Sequence, residues 1–284
     1  MSRKALAKLS AQTGVVDSGW DANLGTVEPS GGDPVRSLAI SEANFETNLF
    51  VGGNFSGIGG TDIAHAAKLS TTGSGAVDPA WRPAPYSAVS AIAAKGKSVY
   101  MAMQNPCRAE LGCVSGRLTR TSVIGNGAPD PSWQVEVGPD DFYAFVGTLV
   151  LTDSSVLIGS SLATVNGEVS LGIMKLDQEK GARDPGFSAH AQTPGSVKAI
   201  ARQPDGKVII GGDFWFVSGL PRQNLARVST NGTLDTAWAP RPTTSSMRCC
   251  SAGVTCSWEV GSNKSAESSS MPLPRLRRSA ILWI

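Results

Sequence analysis

The chain has 284 residues, of which 41% are hydrophobic and 17% charged, with a formal net charge of +2. This balance is that of a globular protein able to bury a core. It excludes a charge-rich disordered chain, and the lack of any apolar run near the ~20 residues of a membrane helix excludes a helical span.

In chain order, Met1 to Leu9 carries the charge of a secretory leader without its apolar core, so no signal peptide is read there. Leu6-Ala7-Lys8-Leu9 reads instead as a strand in the rear half of a unit, closed by the turn Asp17-Ser18-Gly19-Trp20. The turn recurs as Asp78-Pro79-Ala80-Trp81, Asp130-Pro131-Ser132-Trp133, Asp184-Pro185-Gly186-Phe187 and Asp235-Thr236-Ala237-Trp238, at Asp-to-Asp steps of 61, 52, 54 and 51 residues. One supersecondary unit is repeated, and a unit that cannot bury its own apolar face must stack on its neighbours.

The last complete copy shows the unit best. Val197 to Ala201 alternates, Gln203-Pro204-Asp205-Gly206 turns, and Val208-Ile209-Ile210 runs into Gly211-Gly212, which together read as a hairpin. Phe214, Val217 and Gly219 follow, Leu225 to Val228 reads as a third strand, and a short fourth lies near Asp235. Val35 to Ile40, Leu49 to Val51, Gly52-Gly53, Phe55, Ile58 and Ala67-Lys68-Leu69 repeat that order. Val99 to Met101 and Val156 to Ile158 are the corresponding central strands of the two looser copies. Four short strands in about fifty residues are a propeller blade. The fold class is therefore all-β, a partial or small β-propeller of about four four-stranded blades. The body is residues 1–246, with a half-blade at 1–24 and blades at 25–85, 86–137, 138–190 and 191–242.

The repeated residues read as blade chemistry. Paired glycines (Gly52, Gly53, Gly211, Gly212) permit positive φ or close backbone approach, letting Phe55 and Phe214 fold back onto the sheet. Asp78, Asp130, Asp184 and Asp235 accept backbone N–H bonds in Asx turns, holding Trp81, Trp133, Phe187 and Trp238 against the next blade. Trp81→Ala and Trp238→Ala are each expected to cost on the order of 3 kcal/mol.

The string Gly-Gly-x-Phe-x-x-Ile/Val-x-Gly, then Leu-Ala-Arg/Lys-Leu/Val, then Gly-x-x-Asp-x-x-Trp/Phe-x-Pro resembles the delta-60 repeat β-propeller family of large bacterial secreted and surface proteins. The resemblance extends from residue 1 to about 242. It implies a propeller of unassigned biochemical role, extracellular or on the cell surface within a longer protein, and brings no catalytic residues.

From about Met247 the period stops, and residues 247–284 are expected to be a disordered tail. Joining the last base of each codon to the first two of the next forces Gly at Trp258–Glu259 and Asp at Trp283–Ile284, and permits Gly-Gly-x-Phe and Leu-Ala-Lys-Leu in blade register. The tail thus reads as a frameshifted fifth blade; a native low-complexity tail is the alternative. It carries five Lys+Arg against two Asp+Glu, so the basic pI belongs to it and the body is slightly acidic. That argues against nucleic-acid binding.

Cys107 and Cys113 sit in one Pro- and Gly-bearing loop, suited to a small disulfide in an exported protein, with free thiols as the alternative. No zinc set, Gly-x-Ser-x-Gly elbow, His-Glu-x-x-His pair or Lys-bearing phosphate loop is present, and Asp140-Asp141 reads as a solvated loop. No cofactor, metal or catalytic residue is assigned. The expected function is a non-enzymatic interaction scaffold for a protein or surface polysaccharide, with Gln104 to Gly116 and Trp215-Phe216 as contacts. A cation-dependent propeller hydrolase or lyase is the alternative. Open blade edges also favour self-association.

Overall fold

The computed structural model describes residues 5–25, 34–43, 46–104, 107–108, 112–113, 116–138, 145–240, 247–250 and 255–258. Described residues form strands, turns and bridges with no helix among them, and hence none long and apolar enough to cross a membrane.

Blade one is β1 (Val35–Ala43), β2 (Glu46–Gly53) and β3 (Ala66–Ser70). Blade two holds β4 (Val89–Lys95), β5 (Ser98–Met103), the short pair β6 (Cys107–Arg108) and β7 (Gly112–Cys113), then β8 (Gly116–Ser122) and β9 (Pro129–Gly138). Blade three is β10 (Val146–Leu151), β11 (Ser155–Val165) and β12 (Glu168–Asp177). Blade four is β13 (Ala191–Arg202), β14 (Val208–Val217), β15 (Leu220–Pro221) and β16 (Leu225–Val228). Every pairing is antiparallel, and the second long strand of each blade is central. The four expected central segments occupy this position. Phe50, Tyr100, Leu157 and Ile209 are equivalent, each opposite a third-strand cation, Lys68, Arg120, Lys175 or Arg227.

The fourth strand is shorter than the sequence suggests. In blades one, three and four it is a single bridge just before the Asp: Leu69 with Val77, Leu176 with Arg183, Val228 with Leu234. The half-blade repeats this at Leu9 with Val16. Blade two differs, because β9 pairs with β8 and continues at Val137 and Gly138 onto β11, fusing blades two and three into one sheet.

The cores lie between blades. Trp20 and Leu6 of the half-blade cluster with Leu49, Val51 and Leu69 of blade one, Phe50 and Trp81 with Val89 and Val99 of blade two, and Leu157 and Phe187 with Val197 and Ile210 of blade four. A blade alone has little to bury, which is why the period governs the architecture. First strands neighbour one another in the order β1, β4, β10, β13, and no comparable packing brings β13 back to β1, so the described blades form an arc.

Beyond blade four, β17 (Met247–Cys250) pairs with β18 (Thr255–Trp258), setting Cys249 opposite Cys256, and β17 lies beside β13. These eight residues form a ladder that the sequence pattern does not announce. The rest of the expected tail lies outside the described residues, as does Asp140-Asp141.

Candidate functional site

The Asp–aromatic turn has the same cation contact in every copy and the same Asx bond in four. Contrary to expectation, no backbone N–H among the described residues bonds the Asp235 carboxylate, which meets Lys207 and Arg227 instead. One carboxylate oxygen of Asp17, Asp78, Asp130 and Asp184 accepts the N–H two residues on, at Gly19, Ala80, Ser132 and Gly186, over 2.9–3.0 Å. The other meets the third-strand cation: Lys8 with Asp17 at 3.1 Å, Lys68 with Asp78 at 3.1 Å, Arg120 with Asp130 at 2.6 Å, Lys175 with Asp184 at 2.9 Å and Arg227 with Asp235 at 2.9 Å. At four of the five the Asp N–H also bonds the carbonyl of that same Lys or Arg, at 2.8 Å. The cation in Leu-Ala-Lys/Arg-Leu thus anchors the turn, a role the sequence reading did not give it although the spacing to the Asp is nearly constant.

These contacts favour the carboxylate form. The Ser132 hydroxyl and then Arg120 pull Asp130 down to about 2, and Lys207 then Arg227 do the same for Asp235 against a burial effect that opposes them. Lys8 and Lys175 hold Asp17 and Asp184 below the usual range. At Asp78 burial works the other way, and Lys68 with the turn N–H groups outweighs it.

The turn aims its aromatic into the next blade. The indole N–H of Trp20 donates to Ser70 O at 3.0 Å, that of Trp81 to Ser122 O at 2.9 Å and that of Trp133 to Asp177 O at 3.4 Å, each acceptor at the third-strand end of the following blade. Phe50 meets Trp81 edge-on at 5.2 Å and Tyr100 meets Trp133 at 5.1 Å from the other side. The floor under the ring is the glycine three residues before the next Asp. A Cβ on Gly75 would lie 2.7 Å from Trp20 and one on Gly127 2.8 Å from Trp81. Both glycines also have positive φ, so only Gly fits there.

The paired glycines work by close approach alone. Gly52, Gly53 and Gly212 do not have positive φ; a Cβ on Gly53 would strike Pro34 O, and one on Gly212 Ser196 O, where the first strand bulges. Phe55 and Phe214 are fully buried, as expected. Trp238 is not: it is half-buried, with Arg227 stacked on its ring at 5.2 Å. The cost expected for deleting Trp81 therefore does not extend to Trp238.

The backbone of β6 and β7 sets Cys107 directly opposite Cys113. Either pair type of an antiparallel ladder holds the Cα atoms about 4.5–5.5 Å apart, inside the span of a disulfide. The remainder of the Gln104–Gly116 loop is mostly outside the described residues.

Among the described residues no three His, Cys, Asp or Glu side chains gather as a metal site. A dent lined by Ile173, Lys175, Asp184, Phe187 and His190 has room for about one water. Among the described residues, three exposed large apolar side chains gather on the hairpin of β14 and β15. Trp215 is 57% exposed, Phe216 38% and Leu220 45%, and the hairpin backbone is held by Gln192 opposite Phe216 and Pro221 on the other side. Blade one has Ser56 and Gly57 at the same places, so the fold does not require aromatics there.

A family model described as a domain of unknown function (DUF5122) beta-propeller matches residues 203–237, which run from the first turn of blade four through β14, β15 and β16 to its Asp turn. The repeat is that of a β-propeller. A search of curated proteins returned no match.

Proposed function

We propose that the chain is a non-enzymatic β-propeller scaffold that docks a partner on the β14–β15 hairpin. We further propose that its repeat is the delta-60 type of large bacterial secreted and surface proteins, which places it outside the cell with a protein or surface polysaccharide as its partner. The observation that supports this reading is the exposed Trp215–Phe216 pair where the equivalent hairpin of blade one carries Ser56 and Gly57. Aromatics this exposed bury less against their own blade than Phe214 beside them, which is fully buried. In a contact they supply area at low entropic cost, which is why such residues dominate binding hot spots.

The double variant Trp215→Ser, Phe216→Gly installs the blade-one residues and tests the reading. Retention on immobilised bacterial surface polysaccharides and purified surface proteins should fall at least ~10-fold, as loss of a hot spot does, with the unfolding temperature unchanged. Unchanged retention would contradict the docking site. Chelator-sensitive turnover of lactones, glycosides or phosphoesters would contradict the non-enzymatic reading.

A further inference from the structure

The two ends of the arc carry complementary halves of one interface that the chain builds repeatedly within itself. On the last described blade, Trp238 and Ile209 are half-buried, whereas their equivalents Trp20, Trp81 and Trp133, and Phe50, Tyr100 and Leu157, are at most 2% exposed. Among the described residues the Trp238 indole nitrogen meets no carbonyl of the kind its three counterparts bond. At the other end, the half-blade turn from Ser10 to Asp17 has the form of the receiving turns. Gly14 stands three residues before Asp17 with φ +71°, against +77° at Gly75 and +71° at Gly127. It donates to Ser10 O at 2.8 Å, as Gly181 donates to Asp177 O at 3.0 Å in blade three, where the same carbonyl also accepts Trp133. Gly75, Gly127, Gly181 and Gly232 are buried beneath the preceding blade, but Gly14 is exposed, with no atom within 4 Å of where its Cβ would be. Leu9 and Val16, equivalent to Leu69 and Val77 that pack beside Trp20, are likewise more exposed.

We propose that these ends meet in trans: Trp238 of one copy seats on Gly14 of a second copy, its indole N–H donating to Ser10 O. The Ala239 N–H would bond Thr13 O, as Asp21, Arg82 and Ser188 bond Ser74, Asn126 and Asn231 at the internal junctions. Among the described residues the socket is exposed and the plug half-buried in one and the same structure, so neither is the other's occupant there. The contact is heterologous, one copy's tail end to the next copy's front, and gives linear or ring-closed assemblies in place of an isologous dimer.

The test uses the full chain and two single variants, at half-buried Trp238 and at exposed Gly14. Trp238→Ser removes the plug; Gly14→Asn adds a Cβ to the socket with a residue that tolerates positive φ. Sedimentation should show concentration-dependent association of the parent chain beyond the dimer. Each variant alone should weaken it by roughly thirtyfold or more, the scale of a hot-spot residue. A mixture of the two, keeping one plug and one socket, should recover a heterodimer and stop there. Three outcomes would overturn the proposal. One is association equally strong in both variants. Another is a parent chain monomeric at all concentrations whose Trp238 is shielded from quencher, either by its own residues 5–17 or by those beyond 240. The third is association lost only in Trp215→Ser, Phe216→Gly, which would assign self-assembly to the hairpin. The hairpin variant should otherwise associate like the parent, so this proposal and the docking reading fail separately.

Discussion

Trp81 and Trp238 end the same turn on the same kind of carboxylate, yet one is sealed between two blades and the other is only partly buried. The difference lies in the neighbouring blade: blade two brings Gly127 and Ser122 O under Trp81, while no such pair is placed under Trp238 among the described residues. The motif is therefore half an interface. Its contribution to stability depends on the next blade more than on its own sequence.

The largest expected effect breaks the seated member. Trp81→Ala removes a buried indole and its hydrogen bond and should cost about 3 kcal/mol or more in equilibrium denaturation, whereas Trp238→Ala at dilute concentration should stay within about 1 kcal/mol. Equal losses would mean that position in the arc is irrelevant.

Much of this was legible in the sequence because it is local. The central strands at 49–51, 99–101, 156–158 and 208–210, the Asx geometry of Asp17, Asp78, Asp130 and Asp184, and the buried Phe55 and Phe214 follow from alternation and turn chemistry. The Lys or Arg that pairs with each Asp is local too, across a single turn at a nearly constant spacing, and its role was missed although that spacing carried the signal. What the sequence hid beyond this is long-range. The glycine three residues before the Asp belongs to the same motif but serves the previous blade, which no local pattern reveals. The fusion of blades two and three through β9 depends on Val137 meeting Val165, a pairing set by tertiary packing alone. The period located Trp238 in its turn and had no means to tell that, among the described residues, no glycine floor and carbonyl receive it.

A smaller effect sharpens the comparison on the socket side. Gly127 and Gly14 share φ +71°, so Gly→Ala carries the same backbone strain at both, but only at Gly127 does the new methyl meet an indole. Gly127→Ala should cost about 2 kcal/mol more than Gly14→Ala, the scale of overpacking. Equal costs would place Trp81 elsewhere.

In the second blade, reduction should cost a similar or slightly smaller amount. A Cys107–Cys113 bridge closes a short loop and contributes about 2 kcal/mol on the loop-entropy scale, visible as a fall in denaturation midpoint with reductant that Cys113→Ser abolishes. Insensitivity to reductant, with both thiols titrating freely, would count against the bridge.

The smallest effect concerns charge. A carboxyl whose pKa is lower folded than unfolded stabilises fully above its unfolded value near 4 and loses that contribution as pH falls through the folded value. With Asp130 and Asp235 at about 2, stability should decline between about pH 4 and pH 2. Asp130→Asn keeps the turn acceptor but loses the charge facing Arg120, and should cost about 1 kcal/mol or less at pH 7. The difference from the parent should vanish near pH 2; a constant gap across pH would assign it to geometry and not to ionisation.

The central claim is that the aromatic of one blade and the glycine floor of the next form a single unit, and a double-mutant cycle on Trp81 and Gly127 measures it most directly. With the indole gone, the Gly127→Ala methyl has nothing to strike and only backbone strain remains. The two costs should therefore fall short of additivity by about 1 kcal/mol or more. Strict additivity within experimental error would show that the two residues do not act together, and would contradict the account of how the blades are joined.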